Sequence, residues 1–143
     1  MSEQENTRIV EKLFEALNAH ELGRYPDLLA ADYRADQPGA AAPMTEEQSN
    51  AYTQGFIDAF PDLHFDTRQI IAQGDFVVIN WMGSGTHKGG LRTPTGAVLP
   101  PTGKHAMVPG SITYQFKNGK IIHSWNHWDM VSLLAQLGLM PGM

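Results

Sequence analysis

The sequence predicts an α+β fold, with helices packed on one face of a curved antiparallel sheet. Three observations predict it. Apolar residues recur at helical spacing as far as Phe60. Val- and Ile-rich runs follow, and Asn118-Gly119 separates two of them as the strongest short hairpin signal. A last Leu-rich stretch returns to helical spacing.

Each element has its own signal. Ile9, Val10, Leu13, Phe14 and Leu17 set a helix from about Glu5 to Ala19. Leu22, Tyr25, Leu28 and Leu29 continue the pattern as a short helical piece, with Pro26 suited to its first turn. Asp36 to Pro43 reads as a loop. Thr45-Glu46-Glu47-Gln48 matches a capping box, and the helix behind it carries Tyr52, Phe56, Ile57 and Phe60 until Pro61 stops it. Strands are expected at His64–Ala72, Phe76–Gly83, Met107–Lys117 and Lys120–Trp128. Lys88 to Lys104 is rich in Gly and Pro and reads as a long loop or flap. Leu133, Leu134 and Leu137 form a final helix capped by Gly138. No repeat or linker divides residues 1–143, so one domain is expected.

Composition narrows the function classes. With 143 residues, 42% of them apolar, the chain can bury a core without a disulfide or a structural metal. It has no cysteine, which excludes thiolate chemistry. The net charge is −5 and the basic residues are scattered, which argues against nucleic acid as a partner. No stretch is apolar enough to cross a membrane, and Met1 to Arg8 lacks a signal-peptide pattern. A cytoplasmic location is the default expectation.

The terminal hairpin is the informative part. A two-residue turn at Asn118-Gly119 would pair Phe116 with Ile121, Tyr114 with His123, Ile112 with Trp125 and Gly110 with His127. Alternation then puts Tyr114, His123, Trp125, His127 and Asp129 on one face. Thr113, Gln115, Ser124, Asn126 and Trp128 fall on the other. The first face begins apolar and gains titratable groups along the strand. Apolar walls with a few convergent polar groups describe a small-molecule pocket. The alternative is a solvent rim, with Asp129 as the N-cap of the last helix.

Gly119-Lys120-Ile121, Trp125, Asp129 and Leu133-Leu134-Ala135-Gln136-Leu137-Gly138 resemble the closing signature of SnoaL-like polyketide cyclases. Phe60-Pro61-Asp62-Leu63-His64, Gly85-Thr86-His87 and Pro101-Thr102-Gly103-Lys104 resemble other segments of that family in order. The resemblance implies a nuclear-transport-factor-2-like fold: a cone-shaped curved sheet with helices on its concave face and a cavity between them. It implies cofactor-free chemistry, in which a carboxylate closes a ring of a polyketide ester by an intramolecular aldol step. Ketosteroid isomerases and limonene epoxide hydrolases share that fold. A His common near this family's Tyr33–Pro38 segment is replaced here by Asp36.

Aldol chemistry needs a proton removed from a carbon beside a carbonyl and the enolate held. Asp129 is the candidate acid/base, with His123 and His127 as donors or proton partners on its face. Tyr114 is placed to donate to an oxygen. Trp125, Trp81 and Phe60 are candidate apolar walls, and Asp36 a second polar contact. His105 joins the catalytic candidates if a bulge at Pro109-Gly110 turns it inward. His127-x-Asp129 with a distant His has metal-ligand character, but the pattern is too short to assign a metal. Gly83-x-Gly85 precedes no helix and is no dinucleotide motif.

The expected partner is a small hydrophobic carbonyl compound. Epoxide hydrolysis would use Asp129 and Asp36 with an arginine such as Arg34. A non-catalytic binding module would fill the cavity with Phe60, Trp81 and Met82. A homodimer is expected through the open sheet face that carries Thr113, Gln115 and Trp128.

Overall fold

The structure is a computed structural model that describes residues 2–92 and 96–140. Thr93–Thr95, within the expected flap, lie outside the described residues. The elements run α1 (Glu3–Asn18), a 3-10 turn (Pro26–Leu28), β1 (Leu29–Asp36), α2 (Glu46–Ala59), β2 (His64–Gln73) and β3 (Phe76–Thr86). Then come β4 (Leu91–Arg92), β5 (Val98–Leu99), β6 (His105–Lys117), β7 (Lys120–Trp128) and α3 (Met130–Gln136).

Both long helices start with a capping box. Thr45 with Gln48 closes the first turn of α2, as the spacing predicts, and Ser2 with Glu5 closes that of α1, which begins ahead of the expected Glu5. In each case two orphan backbone donors are satisfied locally, which frees the apolar face to pack. α1 ends in two side-chain clamps to the chain around β2. Asn18 donates to the Phe65 carbonyl at 2.9 Å and accepts from the Phe65 N–H at 2.8 Å. His20 Nε2 donates to the Leu63 carbonyl at 2.7 Å. The Asn18 pair occupies backbone groups of an edge strand that otherwise invite another chain.

The main sheet has five strands in the order β1-β7-β6-β3-β2. β7/β6, β6/β3 and β3/β2 are antiparallel, whereas β1 pairs with β7 in parallel. β1 is absent from the sequence expectation. Its short run alternates only at Tyr33 and Ala35, which are buried between exposed or half-buried neighbours. Ile9, Val10 and Phe14 of α1 pack on Val77, Ile79, Ile112, Tyr114, Phe116 and Ile121 of the sheet. Val10, Val77, Ile79 and Ile121 are fully buried. Each contributes roughly 1.5–3 kcal/mol relative to exposure. A second cluster joins Ala59 and Phe60 to Leu91, Ala106, Val108, Leu133 and Leu137. It seats α3 and the flap on the far end of β6.

The hairpin turn forms where the sequence places it. Asn118 (φ 52°) and Gly119 (φ 79°) both take the left-handed conformation this turn requires. Phe116 pairs with Ile121 as expected. The register then slips: Gln115 pairs with His123, Tyr114 with Ser124, Thr113 with Trp125 and Ile112 with Asn126. Ile122 is the extra residue of a bulge in β7. A one-residue slip moves every later side chain to the opposite face. The expected inward face is therefore corrected: Ser124, Asn126 and Trp128 point to the helices, and His123, Trp125 and His127 point away. β6 stays regular through Pro109-Gly110, so no bulge there turns His105 inward.

His87 clasps the flap. Its ring is fully buried and stacks on Phe60 with centroids 5.3 Å apart. Nδ1 accepts from the Thr102 N–H at 3.2 Å, and the Gly103 N–H donates to the His87 carbonyl at 2.8 Å. Nδ1 must be bare to accept, so the ring is neutral, and burial lowers its pKa below 6.5. Among groups with a depressed imidazole pKa, the unfolded chain binds the proton first. His87 therefore costs stability as pH falls below about 6.5 toward its folded value. Denaturant midpoints at pH 7.5 and pH 5 should fall further apart for the native protein than for His87→Gln. Equal pH dependence would show that His87 titrates freely.

Candidate functional site

The inner face of β3 loses its bulk halfway along. Val77, Ile79 and Trp81 are followed on that face by Gly83 and Gly85. A Cβ at Gly83 would stand 3.0 Å from the Trp81 ring and 3.1 Å from Phe65, and one at Gly85 would stand 2.9 Å from Phe60. Across the strand pair, a Cβ at Gly110 would meet the Trp81 indole at 2.1 Å. The glycines thus let three aromatic rings lie against backbone, and the space above them stays open.

That space forms two adjoining cavities. One, of about 100 Å³, is apolar and lies under α2 and α3, lined by Phe56, Phe60, Leu63, Val108, Trp128 and Leu133. The other, of about 180 Å³, reaches between α1, α2 and the sheet and carries Tyr33, Glu46, Ser49, Tyr114 and Ser124. Gln37, Thr53, Phe65, Trp81 and Asn126 line both. Volumes of this order suit a small ring compound, since a dry cavity of roughly 150 Å³ holds benzene.

The polar groups gather on one side. The Tyr33 hydroxyl and Ser124 Oγ are 2.6 Å apart. Burial raises the Tyr33 phenol, and the nearby Glu46 carboxylate raises it further, against the Ser124 hydrogen bond. Tyr114 stands directly opposite Ser124 across the β6–β7 pair. Burial, with a smaller contribution from Tyr33, pushes the Tyr114 phenol far above its ordinary range, so it remains a neutral donor. Its hydroxyl forms no hydrogen bond with a described residue. A chain of amides closes the cluster. Asn126 Nδ2 donates to Gln37 Oε1 at 3.0 Å, and Gln37 Nε2 donates to Ser49 Oγ at 3.1 Å. Asn126 Oδ1 is buried and finds no donor among the described residues. Tyr52, its phenol pushed up to about 12 by burial, ties α2 to the Pro38 carbonyl at 2.9 Å.

Of the residues expected at the site, Tyr114, Trp81 and Phe60 line these cavities. Trp128 does too, and it meets Phe56 of α2 edge-on with centroids 5.3 Å apart. Its expected place on the open sheet face is corrected by the same register slip. Met82 lies on the outer face rather than in the cavity. Asp36, His123 and Trp125 do come together, but on the outer face of the sheet. His123 Nε2 lies 2.6 Å from Asp36 Oδ2, and the imidazole stacks on Trp125 at 4.1 Å. Arg34 donates to the Tyr33 carbonyl instead of pairing with Asp36. His127 is exposed and shares a shallow surface notch with Asp36. Asp129 accepts the Ser132 N–H at 2.9 Å as the N-cap of α3, worth about 1 kcal/mol. His105 is exposed at the start of β6, with Nδ1 3.2 Å from Thr86 Oγ1. Among the described residues, no three His, Asp or Glu side chains group as metal ligands.

The sequence profile of the SnoaL-like polyketide cyclases matches residues 7–137. The chain belongs to that family. No curated protein matches it significantly in sequence. The most similar folds include AclR from Streptomyces galilaeus (TM-score 0.85, 22% identity, 99% of this chain and 86% of that one). TsrD from Streptomyces laurentii follows (TM-score 0.82, 20% identity, 98% and 99% covered). IdmH from Streptomyces antibioticus has TM-score 0.77 and 26% identity over 92% of this chain and 97% of that one. This SnoaL-like chain thus has the cone-shaped α+β fold expected of it.

The sequence reading missed Gln37, Ser49, Ser124, Asn126 and Glu46 as cavity residues. A usable signal existed in Gly83 and Gly85, which alternate with larger residues on one strand face. Gly110→Ala should drive the Trp81 indole into the cavity, at a cost of about 1–3 kcal/mol. Thermal unfolding and tryptophan fluorescence check this; an unchanged emission spectrum would mean the indole does not rest on Gly110.

Proposed function

We propose that this SnoaL-like chain is a cofactor-free acid/base enzyme acting on a hydrophobic carbonyl compound, with polyketide cyclase-like ring closure as its reaction. Membership of the SnoaL-like family supports a cyclase-like role. IdmH, which is similar to this chain, is a proposed polyketide cyclase, and AclR is a proposed hydroxylase. The observation that carries the reading is the Tyr33–Ser124 hydroxyl pair in a largely apolar cavity that Tyr114 also lines. Neutral donors held in a site away from water stabilise a developing enolate oxygen, because they need no reorganisation as charge appears. The apolar chamber under Phe60, Trp128 and Leu133 suits the hydrocarbon part of such a substrate.

The epoxide hydrolase alternative loses support from geometry. Asp36, Asp129 and Arg34 line neither cavity, so the residues named for that reaction are not available there to hold a water.

The test uses 2-naphthol, a rigid aromatic enol, with Trp81 and Trp128 as internal fluorophores. Binding should quench the tryptophans, and Tyr114→Phe should weaken it about three- to tenfold, the worth of one neutral hydrogen bond. Ring closure of linear polyketide esters, followed by absorbance, should slow in the same variant. An unchanged affinity and rate in Tyr114→Phe would overturn the role given to the hydroxyls.

A homodimer through the outer sheet face belongs to the same proposal. That face presents Ile71 and Met107, which are 58% and 50% exposed, together with Thr113, Gln115 and Trp125. A sedimentation mass of twice the chain mass is expected, and a monomer at micromolar concentration would reject it.

A further inference from the structure

The cavity holds donors for an oxyanion, yet the candidate base read from the sequence, Asp129, is a helix cap outside it. Some other group must take the proton. Neither cavity is lined by a histidine or a lysine. Two carboxylates line the polar chamber, Glu21 and Glu46. Glu21 is engaged at the exposed rim by Arg24 at 2.6 Å. Glu46 is half-buried in the first turn of α2 and pairs with no cation among the described residues. It takes no part in the α2 capping box, which Thr45 and Gln48 form. Glu46 lines the same chamber as Tyr33, Ser124 and Tyr114, and its charge raises the Tyr33 phenol.

We propose that Glu46 is the general base of this cavity, removing a proton from the carbon next to a carbonyl whose oxygen rests on the Tyr33–Ser124–Tyr114 hydroxyls. The proposal rests on the preceding reading of the cavity and names its missing group. The step balances without a co-reactant. The Glu46 carboxylate takes the α-proton, the C–H electron pair becomes the enolate C=C bond, and the carbonyl π pair moves onto oxygen, where the hydroxyls donate to it. In ring closure the enolate carbon bonds to a second carbonyl carbon of the same molecule. The oxygen of that second carbonyl then takes the proton back from the Glu46 carboxylic acid. The substrate class is an enolisable ketone or keto-ester with a hydrophobic body, and water is neither consumed nor released in the aldol step.

Proton abstraction can be read without the native substrate. The full chain is incubated with 2-tetralone in D2O and exchange of the α-protons is followed by NMR. Binding of 2-naphthol is measured on the same samples. The wild type should accelerate exchange. Glu46→Gln, which keeps the Thr45–Gln48 box, should bind 2-naphthol as the wild type does and lose about a hundredfold or more of the exchange rate. Asp129→Asn keeps the α3 cap and should exchange at the wild-type rate. If Glu46→Gln exchanges normally, or if Asp129→Asn is the variant that fails, Glu46 is not the base, while 2-naphthol binding still supports the cavity. If the wild type binds 2-naphthol but does not accelerate exchange, the proposed base is likewise rejected. If 2-naphthol does not bind at all, the cavity reading itself falls.

Discussion

One inserted residue in β7 controls which chemistry the cavity contains. Up to Ile121 the hairpin follows its turn, and beyond Ile122 every side chain has changed sides. The bulge removes two histidines and Trp125 from the interior and replaces them with Ser124, Asn126 and Trp128. Without it, imidazoles would face α1 and α2 across a largely apolar layer, where buried charge or unpaired nitrogen is costly. With it, the inward polar groups are hydroxyls and amides that can pair with one another. Tyr33 with Ser124 and Gln37 with Asn126 and Ser49 are those pairs. The parallel strand β1 depends on the same shift, because Ala35 pairs with Ser124 and thereby brings Tyr33 alongside it.

The cavity is open for a second reason, which is subtraction. Core packing in folded proteins leaves few voids, so an internal space must be built. Here Gly83, Gly85 and Gly110 withhold side chains where Trp81, Phe65 and Phe60 need to lie flat on the sheet. The rings then become walls rather than filler. Trp128 and Phe56 brace the opposite wall edge-to-face, a favoured geometry for aromatic pairs. The apolar chamber and the more polar one share the Trp81 wall.

The outer face keeps a cluster of its own. Asp36, His123 and Trp125 form a hydrogen-bonded and stacked group there, half-exposed and separated from the cavity by the sheet. His123 and Trp125 alternate along one strand, and Asp36 stands where the family often carries a His. Their proximity to one another is real, but the backbone that carries them faces the other way. The His87 imidazole also lies outside both cavities, wholly enclosed in the flap clasp, where it acts as a neutral acceptor.

The sequence by itself determined the class of fold, the Thr45–Gln48 capping box, the Asn118-Gly119 turn, the final helix with Asp129 ahead of it and the family. These are local features, fixed by hydrogen bonds and dihedral preferences within a few residues, or by motifs read in order. Only the tertiary structure decided which face of β7 points inward, that β1 joins the sheet in parallel, and that Glu46 and Tyr33 line one chamber. A bulge depends on pairing between strands, and parallel pairing of β1 with β7 spans about ninety residues of chain, as the 91-residue separation of the Tyr33–Ser124 contact illustrates. No local preference encodes either. The energy that selects them is the burial of the whole inner face at once, because a slip of one residue exchanges buried for exposed side chains along the entire strand.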